Sequence, residues 1–124
     1  MAEKLKILAV DDDPLILTLL TDMLTPANEL QISKSAKEAM KLMEKTTPDL
    51  ILLDIAMADI SGFKFLEIIK KKEKFKDIPV IVVSGYIETE FIMYAESLGV
   101  KGTVGKPIKK DELLRKIDIA VTPR

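Results

Sequence analysis

The sequence contains no cysteine and no histidine. Without cysteine there are no disulfides, thiolate metal sites or thiol nucleophiles, a composition that fits a reducing compartment and makes a cytoplasmic location the expectation. Without histidine, imidazole bases, Ser-His-Asp triads and histidine-ligated zinc are excluded, and any catalysis falls to carboxylates, Lys, Ser, Thr or Tyr. Excess charge is missing as well. Nineteen basic and 20 acidic side chains leave a formal net charge of −1, whereas a nucleic-acid footprint needs a basic excess on one face; direct nucleic-acid binding is not expected. No apolar run approaches the roughly 18 residues of a membrane span. The N-terminal Met1-Ala2-Glu3-Lys4-Leu5-Lys6 lacks the apolar stretch of a signal peptide. Repeats, low-complexity tracts and interdomain linkers are also absent.

What is present is 124 residues, 48 % hydrophobic and 31 % charged, the balance of one soluble globular domain spanning 1–124 with its core at about 5–121. Strand-like runs alternate with stretches of helical period, the signature of βαβ units around a parallel sheet. The first strand covers about 5–10. Asp13 then serves as an N-cap with Pro14 at the first helical position, where its missing N–H costs nothing, and the helix runs to about Leu24. A weaker strand at Glu29 to Lys34 precedes Ser35-Ala36-Lys37-Glu38, a capping box opening a helix with Ala39, Leu42 and Met43 on one face. Leu50-Ile51-Leu52-Leu53 is uninterruptedly apolar and reads as a central strand buried on both faces. The loop from Ile55 to Gly62 feeds a helix carrying Phe63, Phe65, Leu66 and Ile69, which trails into Lys70 to Lys76, a solvated helix end. A fourth strand runs from Ile78 to Ser84. The helix from about Glu88 to Leu98 is closed by Gly99, and the apolar residues Phe91 to Ala95 exceed one inward stripe, so one or two must face solvent. After the short fifth strand Thr103-Val104-Gly105 and Lys106-Pro107, the last helix places Leu113, Leu114, Ile117, Ala120 and Val121 inward.

Parallel strands with this pattern bring Asp11, Asp12, Asp54, Ser84 and Lys106 to one end of the sheet, the edge at which open α/β sheets bind ligands. Three carboxylates within 4 to 5 Å repel by roughly 3 to 4 kcal/mol per pair at an effective dielectric near 20, and a divalent cation is the natural remedy. Oxygen-only ligands select a hard ion, most simply Mg²⁺, with Mn²⁺ an acceptable substitute. The position therefore points to chemistry on an anion with a metal.

The combination Val10-Asp11-Asp12-Asp13-Pro14, Leu53-Asp54-Ile55-Ala56-Met57 with Gly62 beyond, Val83-Ser84-Gly85 and Gly105-Lys106-Pro107 resembles the receiver domain of two-component response regulators, over essentially the whole chain. The resemblance implies a flavodoxin-like doubly wound fold with strand order 2-1-3-4-5. It also implies transfer of a phosphoryl group from a phosphohistidine on a partner histidine kinase or phosphotransfer protein to Asp54. In such a site Asp12 and Asp54 bind the metal directly, Asp11 partly through water, and the backbone carbonyl of Ala56 completes the protein's share. Ser84 and Lys106 take oxygens of the transferring group, and the Lys106–Pro107 bond is often cis. Phosphoryl transfer has a loose transition state, so positioning and neutralisation do most of the work. With no histidine of its own, the chain depends on a partner for the donor.

Several positions depart from the family pattern. Thr103 stands where receivers commonly carry an aromatic residue that reorients with the Ser or Thr, Ala58 replaces the usual proline after Met57, and Gly85 stands where alanine is common. Ala56 and Tyr86 occupy positions that tune the lifetime of the acyl phosphate. Two readings follow: a phosphorylatable switch that catalyses its own modification and slow hydrolysis, and an interaction module largely independent of phosphorylation, suggested by Thr103 and by the lack of an output domain in these residues. An aspartyl-nucleophile phosphatase is disfavoured because that chemistry wants a second acid at position 56, which is alanine.

Overall fold

The computed structural model describes residues 4–57, 60–85 and 88–122. Strands and helices alternate along the chain: β1 (Lys6–Val10), α1 (Pro14–Leu24), β2 (Glu29–Ser33), α2 (Ala36–Lys45), β3 (Leu50–Leu53), α3 (Gly62–Lys70), β4 (Val80–Ser84), α4 (Thr89–Ser97), β5 (Gly102–Gly105) and α5 (Lys110–Val121). The strands form one sheet in the order β2-β1-β3-β4-β5, every pair parallel. This is the flavodoxin-like arrangement that the resemblance implies.

Side chains alternate across each strand, so each strand feeds two cores. Leu8, Val10, Ile51 and Leu53 pack with Ala39 and Met43 of α2 and Phe65, Leu66 and Ile69 of α3. Ile7, Ala9, Leu50 and Leu52 turn to the other face, against Leu17 and Leu20 of α1 and Leu113 and Ile117 of α5. All four residues of β3 are buried, which is why its sequence shows no polar alternation. A smaller cluster of Ile55, Val82 and Ala95 lies under α4.

Local signals place the helix starts. Asp13 caps α1, its carboxylate accepting from the Leu15 N–H at 2.9 Å, and Ser35 caps α2 by accepting from the Glu38 N–H at 3.1 Å. The Ser35 N–H, which a full capping box would tie to Glu38, instead lies 3.4 Å from Ser33 Oγ. Three other expectations need correcting. Leu114 is not inward but 38 % exposed, because the buried residues Leu113 and Ile117, with the partly buried Val121, advance by four and leave Leu114 a hundred degrees from Leu113. The fourth strand starts at Val80, not Ile78; Pro79 has no N–H to give the ladder, and the Ile78 N–H closes a turn onto Phe75 O. Within the lysine-rich segment Phe75 is a core residue. On α4, Met93 and Tyr94 are the solvent-facing residues of the apolar run, 63 % and 44 % exposed.

Gly62 fixes where α3 meets the end of β3. A Cβ there would lie 2.4 Å from Ile55 Cα and 2.5 Å from the Asp54 carbonyl oxygen, and the Gly62 N–H donates to the Ile55 carbonyl at 3.0 Å. At Gly85 a Cβ would meet nothing within 4 Å. Gly62→Ala is therefore expected to lower the unfolding free energy in urea by about 2 kcal/mol, as forced overpacking does, while Gly85→Ala changes it by no more than about 0.5 kcal/mol; equal effects at the two sites would contradict this account.

Candidate functional site

Because the strands are parallel, β1, β3, β4 and β5 all end on the same edge, and each ending is tied to its neighbour. The Asp11 N–H donates to Ser33 O at 3.0 Å, the Asp54 N–H to Val10 O at 2.9 Å and the Lys106 N–H to Ser84 O at 3.2 Å. Backbone ladders, rather than side-chain packing, thus set the spacing of the residues that the sequence singles out. Asp11 and Asp54 are buried, Asp12 is exposed, and Ser84 is buried at the last position of β4. Asp13 belongs to the cap of α1 and not to the cluster.

Asp11, Asp12 and Asp54 each offer a carboxylate oxygen within 4.8 Å of the others. Lys106, next to a cis peptide bond to Pro107, donates from Nζ to Asp11 Oδ2 at 2.9 Å and reaches to 3.6 Å from Asp54 Oδ2. The other oxygens are engaged by backbone: the Asp13 N–H donates to Asp11 Oδ1 at 2.9 Å and the Ala56 N–H to Asp54 Oδ1 at 3.2 Å.

The two members of the ion pair respond differently to this setting. Burial is the largest influence on Lys106 and pushes its pKa down, but the hydrogen bond and charge of Asp11, together with Asp54, outweigh it, so the ammonium is held more firmly than usual. For Asp11 burial, again the largest influence, wins: helped by Asp54, it raises the pKa despite the bonds from Lys106 and the Asp13 N–H. The neighbouring acid adds to the effect of burial at Asp11. The cluster holds more negative charge than one ammonium can balance, and removing a proton from Asp11 adds to the excess. An all-oxygen donor set with a charge deficit, open to solvent at Asp12, fits a hard divalent cation.

A carboxyl whose folded pKa is raised costs stability above that pKa, and the cost disappears as pH falls through it toward the unfolded value. In a chelator, then, Asp11→Asn is expected to be more resistant to urea than wild type at neutral pH. The advantage shrinks as pH drops through the raised Asp11 pKa; a variant less stable than wild type across the whole range refutes the sign.

The departures from the family pattern divide into those the structure addresses and those it does not. Thr103 sits half-buried in β5, its carbonyl accepting from Lys116 Nζ at 2.5 Å, and Gly85 is exposed. Ala58 and Tyr86 lie outside the described residues. One feature escaped the sequence reading. Phe63 and Phe91 stack with centroids 6.1 Å apart, Tyr94 meets Phe63 edge-on at 4.9 Å, and the Tyr94 hydroxyl donates to Glu67 Oε2 at 2.6 Å, raising the phenol's pKa. The i, i+4 spacing of Phe63 and Glu67 is a usable signal for one side of this contact, and on α4 Phe91 and Tyr94 lie in the apolar run that exceeds one inward stripe; only the pairing of the two sides is not legible in the sequence.

Comparison with known proteins agrees with this geometry. A chain of 14.6 kDa from Leptolyngbya boryana is 32 % identical over 90 % of this chain and 86 % of its own length. A protein-glutamate methylesterase/protein-glutamine glutaminase of Burkholderia pseudomallei is 32 % identical over 86 % of this chain, which spans only 30 % of that enzyme. Among solved structures, a response regulator receiver domain protein from Methanospirillum hungatei superposes with a TM-score of 0.84 at 30 % identity, covering 94 % of this chain and 92 % of that one. The family model for the response regulator receiver domain matches residues 7–118, and with the fold and the acidic edge in place the chain belongs to that family, the receivers of two-component systems.

Proposed function

We propose that the chain, as one receiver domain over residues 1–124, accepts a phosphoryl group on Asp54 from a phosphohistidine of a partner histidine kinase or phosphotransfer protein, in the cytoplasm. The observation that carries this reading is Lys106 Nζ placed against both buried carboxylates, 2.9 Å from Asp11 and 3.6 Å from Asp54, beside a third acid within 4.8 Å. The bond from phosphorus to the imidazole nitrogen breaks as one to an Asp54 oxygen forms, and the imidazole leaves with the electron pair. A carboxylate needs no general base to attack, which suits a chain without histidine. The Ala56 N–H on Oδ1 orients Asp54, leaving Oδ2 as the attacking atom. Lys106 and the Ser84 hydroxyl stabilise the charge spread over the transferring oxygens. Mg²⁺, or Mn²⁺ in its place, would be held by Asp11, Asp12, Asp54 and the Ala56 carbonyl, and supplies the remaining positive charge. No described helix is long and apolar enough to cross a membrane.

Thr103 in place of the family's aromatic residue favours a second reading, an interaction module that works without phosphorylation. One experiment separates the two. With Mg²⁺ and acetyl phosphate, intact-mass analysis is expected to show one added phosphoryl group on wild type, none on Asp54→Ala and none in excess chelator. Lys106→Ala is expected to slow the gain about 100-fold, the usual cost of removing one preorganised charge stabiliser. No gain by wild type selects the passive module.

A further inference from the structure

Three lysines among the described residues are partly buried: Lys70, Lys106 and Lys116. Lys106 is paired with Asp11, and Lys116 lies 3.9 Å from Glu112 Oε2. Lys70, the last residue of α3, forms no ion pair with a carboxylate among the described residues; its Nζ donates to the Lys76 carbonyl at 3.2 Å. Its stem runs past Gly99, just beyond α4, where a Cβ would lie 3.8 Å from Lys70 Cε and 3.9 Å from Nζ. A half-buried ammonium is thus left with a neutral carbonyl as its acceptor.

Neighbouring charges do not repair this. Glu44 and Glu73 are engaged by Lys74 at 3.7 Å and Lys76 at 3.1 Å. Two charged groups act on Lys70 itself: the exposed Lys101 opposes its charge, and Asp77 supports it more weakly. With burial as the largest influence, the amine is held below the ordinary lysine pKa, so more of it is neutral and nucleophilic, as for lysines desolvated or set near another cation. The charge of Lys101 that disfavours the ammonium also favours an anionic reagent. We propose that Lys70 is a site of lysine acylation, its amine taking the acyl group of an acyl phosphate. The nitrogen lone pair attacks the acyl carbon, a C–N bond forms, and the bond from that carbon to the phosphate oxygen breaks. Inorganic phosphate leaves with the electron pair, and the proton of the amine passes to solvent. The amide that results keeps one N–H for the Lys76 carbonyl and loses the charge that Lys101 opposes. Gly62, at the start of α3, rests against Asp54, whereas Lys70 ends that helix, so the site is separate from phosphoryl acceptance and does not require it.

The test incubates the full chain in chelator with acetyl phosphate and stops the reaction while little acetyl has been gained. The remaining amines are capped with isotope-labelled acetic anhydride under denaturing conditions, and the lysines are compared by peptide mass spectrometry. Near neutral pH Lys70 is expected to gain acetyl about threefold faster or more than the exposed Lys41 and Lys64, the direction in which burial and a nearby cation move a lysine nucleophile. The advantage should shrink as pH rises to the ordinary lysine pKa of about 10.4, where the exposed amines become neutral as well. The proposal is overturned if Lys70 is modified no faster than Lys41 and Lys64, if its advantage persists in unfolding urea, or if the advantage is the same at every pH. Chelator withholds metal from the acids, and acetyl and phosphoryl adducts differ in mass, so failure here leaves the phosphoryl reading untouched, and the reverse holds for the intact-mass experiment.

Discussion

The carboxyl edge of the sheet is organised around an imbalance of charge. Asp11, Asp12 and Asp54 converge within 4.8 Å, two of them buried, and Lys106 alone among the described residues forms an ion pair with them. In water such groups would stay apart; here the strand ladders give them no choice. The folded chain therefore concentrates negative charge around one ammonium, and the acids hold the Lys106 proton against the effect of burial, while at Asp11 burial itself prevails. A domain tolerates such a local cost when the rest of it is strongly determined.

That determination comes from the two apolar layers. β1 and β3 supply alternate side chains to both, so sliding either strand by one residue would exchange the contents of the two cores. The register locks Asp11 and Asp54 beside each other: Val10 pairs with Leu53, and each acid is the next residue. Gly62 adds a constraint from the helical side, since the start of α3 rests against the backbone of Asp54 and Ile55 with no room for a methyl group. The phosphoacceptor candidate is thus clamped by its own strand and by the helix that follows.

How much of this the sequence discloses depends on the range of the interaction involved. Caps and strand ends are local, and Asp13, Ser35 and the acids after Val10 and Leu53 could be read from immediate neighbours. The order of the strands is not local; it came with the resemblance, which rests on several separated motifs taken together. Phe75 is surrounded by lysines in sequence, and its burial follows only from how the turn after α3 folds under the sheet. Leu114 is apolar and adjacent to a true core position, and only the exact phase of α5 distinguishes them. The pairing of Tyr94 with Glu67 joins residues 27 positions apart, a contact that no periodicity reports.

The contact from Lys106 to Asp11 bridges 95 positions and also most of the width of the sheet. Lys106 follows β5, an edge strand bonded on one side only, to β4, while Asp11 follows β1, with β3 and β4 between them. The ammonium is consequently a tether between that margin and the centre. One side chain thus joins the border of the sheet to its centre, after a strand where position 103 carries a threonine and no bulky ring.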